Sequence, residues 1–334
     1  MRVRGQESAM QSTNRWTVTA IVFAAFAVAI VLTLGDMRLA SSQTVTLVAK
    51  QTEATVPLDD PFDGVWDSAN PIEAPLSGQL IVQPKGGVDR TVTARALHDN
   101  DRLYVLLEWQ DDTEDVLVSH QTEFTDAAAV QFPVSEGESV PSFCMGDPTA
   151  PVNVWQWKGA WQSDIDQGFV GIQDANPNIA VDTYPFEDEE VFYPARSVGN
   201  AYAATDRTTP VDNLLAGSFG TLTQADDQIV DGSGEWRDGS WRALFARDLD
   251  VGEEYSRFTV NESTNIAFAV WDGAENERNG TKSVSQFLTL SLSDEIAKGG
   301  GGIETWQIAL IAIAVAAVTG VLALRGWQRS KQQQ

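Results

Sequence analysis

RLYVLLEWQ, residues 102–110, is a nine-residue run of aliphatic and aromatic side chains, too short for a core helix and rich in residue types that fit a pleated surface. It reads as a buried β-strand. Similar runs recur on either side: AAAVQFPV from residue 127, VNVWQWKGAW from 152, WRALFARDL from 241, NIAFAVWDG from 265 and VSQFLTLSLS from 284. Clusters of Gly, Asp, Asn and Pro separate them, the spacing expected of a sandwich or barrel. Between the chain ends no stretch keeps a 3.6-residue apolar period, so helices there should be few and short. The intervals 111–126 and 162–235 are rich in Asp, Gly, Pro and Asn and read as long loops on the scaffold.

The 334 residues carry 22 Lys and Arg against 47 Asp and Glu, a formal net charge of −25, with one Cys and two His. That charge repels phosphate backbones, which argues against a nucleic-acid partner. The small counts exclude more. A single cysteine rules out an internal disulfide framework, a four-cysteine metal site and the C-x-x-C-H haem attachment motif, and two histidines rule out a three-histidine site.

Two apolar runs bound the acidic part. Residues 17–34, TVTAIVFAAFAVAIVLTL, follow three arginines and read as an uncleaved signal anchor or a signal peptide. Residues 306–324, WQIALIAIAVAAVTGVLAL, precede Arg325, Arg329 and Lys331 and read as a stop-transfer helix. The positive-inside rule then places both termini, 1–16 and 325–334, in the cytoplasm if the first helix is uncleaved. The main domain lies outside a cell membrane. The expected division is a linker at 35–54, one all-β domain at 55–293, a Gly-rich tether at 294–305 and the membrane helix. Apart from Lys331, only five lysines, at 50, 85, 158, 282 and 298, lie in the chain. Acid excess with scarce lysine is the composition of a protein facing very high salt, and a halophilic source is expected.

The candidates for chemistry are correspondingly few. Met145, in FCMGDPTAPVNVWQWKG, is the only methionine after Met37 and stands at a loop edge beside Cys144 and a Gly-Asp-Pro turn. Its thioether suits haem iron or copper, or simply fills the core. Lys282 stands where an Asn-Gly turn meets the last strand run. It is a solvated turn lysine or, with its pKa held far below the usual ~10.4, a neutral amine ligand. Trp155 and Trp157 alternate before Lys158, with Trp161 close by, and wall a flat ligand or fill an aromatic core. His98 and His120 stand on opposite sides of the 102–110 strand as a weaker ligand pair. Cys144 reads as a small buried residue. Asn261 and Asn279 open glycosylation acceptor motifs.

Taken together, FCMGDPTAPVNVWQWKG, GEWRDGSWRALFARDL and NGTKSVSQFLTLSL resemble the haem b subunits of ethylbenzene dehydrogenase and its type II dimethyl-sulfoxide-reductase relatives over roughly residues 55–293. The resemblance implies a β-sandwich similar to family 9 carbohydrate-binding modules, and one non-covalent b-type haem between a methionine and a lysine. By motif, these fall on Met145 and Lys282. It implies no catalytic site on this chain. It implies instead an electron relay, its haem in the low-dielectric sandwich interior, between membrane quinol oxidation through a cytochrome b/Rieske-type partner and an iron–sulfur subunit with a molybdenum catalytic subunit. Nitrate is the first expectation for the terminal substrate. Trp155, Trp157 and Lys158 are expected to line the pocket or reach a propionate. The competing reading is a membrane-tethered carbohydrate-binding module that stacks sugars on its tryptophan face, without metal.

Overall fold

The structure, a computed structural model, describes residues 45–80, 85–135, 141–143, 145–180 and 192–297. Both apolar runs, the two basic ends and Cys144 lie outside these residues. Among the described residues no helix is long and apolar enough to cross a membrane.

Thirteen strands carry the described chain. One layer holds β1 (Thr46–Gln51), β2 (Ile72–Gly78), β3 (Arg90–His98), β4 (Arg102–Gln110), β9 (Asp231–Arg237), β10 (Ser240–Asp248) and β13 (Leu288–Ile296). The other holds β5 (Ala127–Pro133), β6 (Val152–Lys158), β7 (Val211–Ala216), β8 (Thr223–Gln224), β11 (Ser263–Trp271) and β12 (Ser283–Val284). β2 and β11 pair with strands of both layers and join them. Pairing is antiparallel except for β1, which runs parallel to β13 and β3.

Three boundaries differ from the expectation. Residues 46–51, assigned to the linker, form β1, because TLVAKQ alternates buried Leu47 and Ala49 with less buried neighbours and completes the sheet between β13 and β3. β13 continues to Ile296, past the expected end of the domain. The interval 162–235 contains β7, β8 and most of β9 beyond a nine-residue helix, α1 (Gly159–Gln167), so only part of it is loop.

Between the layers lies a core of alternating apolar side chains. The indoles of Trp109 on β4, Trp157 on β6 and Trp241 on β10 meet at its centre, with ring centroids 4.8 Å (Trp157–Trp241) and 6.3 Å (Trp109–Trp157 and Trp109–Trp241) apart. Each removes roughly 150–250 Å² from water, a gross gain of about 4–6 kcal/mol per ring before entropy. A second apolar cluster covers the outer face of β5, β6, β7 and β11: Ala127, Ala129, Val152, Val154, Leu214, Ala216, Ala269 and Trp271, with Met145 and Val284 packed on it.

Candidate functional site

Met145 owes its position to a strained turn. Its backbone sits at φ 76°, in the left-handed region, where the other non-glycine residues of the described chain are Asn or Asp. A Cβ there costs about 1–2 kcal/mol, and such strain persists only where the surroundings over-determine it. Gly146 follows at φ 70° and donates its N–H to the Ser142 carbonyl at 2.8 Å. A Cβ on Gly146 would lie 2.9 Å from the Ala150 carbonyl oxygen and 3.1 Å from that of Ala216. The Asp147 carboxylate accepts from the N–H groups of Thr149 and Ala150 and closes the turn onto β6.

Lys282 comes from the far side of the sheet. After β11, Trp271 Nε1 donates to the Asn279 carbonyl at 3.0 Å, and Asn279 takes φ 51°, which its short side chain tolerates. Thr281 N–H donates to the Arg278 carbonyl at 2.8 Å, and the chain enters β12. The Lys282 amine then donates to the Met145 thioether, Nζ to Sδ 3.6 Å, and lies 4.7 Å from the centre of the Trp271 ring. Residues 137 positions apart in the chain meet here.

Around this pair opens a cavity of about 420 Å³, within the range that cofactor pockets occupy. Phe143, Val154, Phe219, Leu222, Trp271 and Val284 make it largely apolar, and Gln79, Gln156, Tyr202 and Asn279 supply polar groups. A soft sulfur donor and an amine that meet inside a largely apolar cleft are donor types that suit the iron of a porphyrin. The cavity lies on the outer face of the second sheet, which corrects the expectation of a site inside the sandwich. Between the layers, the Trp109, Trp157 and Trp241 indoles pack on one another instead.

Period-two alternation in β6 corrects the second expectation. Asn153, Trp155 and Trp157 point between the layers, while Val152, Val154, Gln156 and Lys158 point outward. Trp155 and Trp157 are fully buried and do not line the cavity. Lys158 is on the outer face but in a neighbouring cleft that shares Gln156, Tyr202, Trp271 and Asn279 with the first. Its amine pairs with the buried Asp212 carboxylate and lies 3.7 Å from the centre of the Trp161 ring. The two histidines are not brought together as a ligand pair. His98 is buried with Nε2 2.9 Å from the Ser293 carbonyl, whereas His120 is exposed beside Glu123.

Sequence reasoning missed a carboxylate cluster at the base of the 272–281 turn. Oxygens of Asp111, Asp126 and Asp272 lie within 4.8 Å of one another. Burial pushes Asp126 up to about 7, against hydrogen bonds from Gly273 N–H, Asp115 N–H and Trp241 Nε1. It pushes Asp111 up to about 6 and Glu277 to about 7, the latter opposed by Arg90 at 3.8 Å. In so acidic a chain, nothing in the sequence marks these residues.

The fold and the paired donors define a β-sandwich with a cofactor-sized cleft on its outer face. The chain belongs to the ethylbenzene dehydrogenase family, which it matches over residues 63–283. It is 27% identical over 270 residues to the protein of Haloferax mediterranei provisionally named respiratory nitrate reductase heme subunit ORF7, covering 79% of each chain. It is 26% identical over 241 residues to the dimethylsulfide dehydrogenase subunit gamma of Rhodovulum sulfidophilum, covering 68% of this chain and 72% of that one. Among solved structures it is similar to a family 9 carbohydrate-binding module from Caldicellulosiruptor kristjanssonii, with TM-score 0.39 and 10% identity over 78% of this chain and 100% of that one.

Proposed function

We propose that this chain is the haem-binding electron-transfer subunit of a respiratory oxidoreductase complex, holding one b-type haem through Met145 and Lys282. The observation that carries the reading is the 3.6 Å approach of Lys282 Nζ to Met145 Sδ inside an apolar cleft. Relatives named as a heme subunit and a gamma subunit of such complexes support it.

Bound there, the haem would supply one-electron exchange. The chain's own residues set the conditions. Met145 offers a thioether, which favours a high reduction potential, and Lys282 offers an amine that ligates only as the neutral base. If Met145 and Lys282 both held the iron, they would leave it no open position for a substrate, and catalysis would belong to partner subunits. Phe143, Phe219, Leu222 and Trp271 make the wall around the donors apolar. Gln156, Tyr202 and Asn279 border both clefts and would offer hydrogen-bonding groups to the polar edge of a haem. The partners in this reading are an iron–sulfur subunit and a molybdenum catalytic subunit acting on nitrate or a related oxyanion. A quinol-oxidising membrane partner and the apolar run at 306–324 keep the domain at the outer membrane face.

The carbohydrate-binding alternative needs tryptophans on an accessible face. Trp155 and Trp157 are 0% exposed and Trp161 is 7% exposed, so that platform is missing among them.

The reading is tested by purifying the full-length chain in detergent from haem-replete cells and assaying it as the pyridine haemochrome. Protohaem at about one per chain is expected. A folded chain without haem would overturn the proposal.

A further inference from the structure

Lys282 ends in a flexible four-carbon stem, so its amine is well placed only if its backbone is. That backbone is held against three glycines that do not line the cavity. Gly87 lies at φ +87°, and a Cβ on it would stand 2.2 Å from the Lys282 carbonyl oxygen, 2.4 Å from the carbonyl carbon and 2.7 Å from Ser283 N. On Gly86 a Cβ would stand 1.8 Å from Thr281 Cγ2 and 3.0 Å from Thr281 Cα. Behind them, a Cβ on Gly78 would lie 2.5 Å from the Gly87 carbonyl oxygen and 2.9 Å from that of Gly86. The chain leaving β2, the chain entering β3 and residues 281–283 are thus stacked at distances only hydrogen atoms allow.

Hydrogen bonds lock the stack. Gln79 N–H donates to the Lys282 carbonyl at 3.1 Å. Val88 N–H donates to Ser283 Oγ at 3.1 Å, and that hydroxyl donates back to the Val88 carbonyl at 2.9 Å. Ser283 also pairs with Gly78 across β12 and β2. On the opposite side, Met145 is fixed by its own left-handed turn.

We infer that Gly78, Gly86 and Gly87 are positioning residues, a cradle that sets the Lys282 amine opposite Met145 before any cofactor arrives. The inference rests on the haem reading of that pair. A methyl on Gly87 would force the Lys282 carbonyl back by about 1 Å to reach ordinary contact, and the amine with it. Of the other cavity-lining residues, Gln79 is coupled to the shift, because its N–H donates to that carbonyl.

The test uses the full-length chain reconstituted with haem, read by its absorption and electron paramagnetic resonance spectra, with circular dichroism reporting the fold. Gly87→Ala should fold and bind haem but lose the wild-type low-spin spectrum, approaching that of Lys282→Ala. A folded Gly87→Ala with the wild-type spectrum overturns the inference while leaving the haem reading intact. Wild type that takes up no haem overturns both. If Gly87→Ala does not fold, Gly86→Ala decides. Alone it should shift the spectrum, and with Thr281→Ser, which removes the methyl in the 1.8 Å contact, it should return toward wild type. An unshifted Gly86→Ala, or a shift that Thr281→Ser leaves unchanged, overturns the inference.

Discussion

Lys158 to Met is the substitution that best separates a framing role from a cofactor-binding one. The Lys158 and Asp212 side chains are 8% and 2% exposed and pair directly, and Asp212 Oδ1 also accepts from Gln224 Nε2 at 3.1 Å. Removing the amine leaves a carboxylate in a nearly dry environment with one neutral donor. Breaking one side of such a pair costs about 3–5 kcal/mol. At roughly 2–4 °C per kcal/mol for a domain of this size, thermal unfolding should fall by about 6–20 °C. Replacing both partners, as Lys158→Met with Asp212→Leu, removes the stranded charge and should recover at least half of the loss. Circular-dichroism melts of the four proteins in the cycle give the coupling directly. Haem uptake in Lys158→Met should fall only in step with the folded fraction. If the single variant melts within about 2 °C of wild type yet loses haem, Lys158 binds a haem carboxylate and the framing argument fails.

Three further outcomes follow from the same geometry. Met145→Gly relieves a left-handed strain that Met145→Ala keeps, so the glycine variant should be more stable by about 1 kcal/mol in denaturant titrations; equal midpoints would show no strain at this turn. Asp111, Asp126 and Glu277 have native pKa values raised above their unfolded values of 3.8 and 4.5, so the native state holds protons that the unfolded chain releases. This contribution is complete below pH 4 and lost as pH rises through 6–7. Denaturant midpoints should therefore decline from pH 5 to 8, less so in Asp126→Asn, and a rise with the same slope in both would refute the assignment. A net charge of −25 makes self-repulsion the main penalty at low salt, so raising NaCl from about 0.1 M to 2 M should raise the melting temperature. No change would argue against adaptation to salt.

How far the sequence could be read depended on what each residue packs against. RLYVLLEWQ became β4 within the same residues, because a run buried on both faces is apolar whatever its partners. DGSGEWR looked like loop and is β9. Its glycines are there because a Cβ on Gly234 would lie 2.2 Å from the Trp157 indole and one on Gly232 2.1 Å from the Leu244 carbonyl oxygen. The tryptophan that reads as a pocket wall is thus the reason a strand reads as a turn. Lys158 and Trp157 cannot share a face of β6, a point alternation makes as soon as the strand is accepted. Residue scarcity singled out Met145 and Lys282, and their turn chemistry was visible, but their meeting depends on β2, β11 and β12 pairing across the sheet. Arg247 was invisible. It is fully buried with no carboxylate in ion-pair contact among the described residues, donates to Asn153 Oδ1 at 2.9 Å, and burial brings its pKa down to about 9.

The most direct test of the central claim is the low-temperature electron paramagnetic resonance and absorption spectrum of the haem-loaded full-length chain, recorded beside Met145→Ala and Lys282→Ala. The account predicts one low-spin haem in the wild type, and a different ligand signature in each variant, with the fold retained. An unchanged low-spin spectrum in both variants would contradict it, even with haem bound.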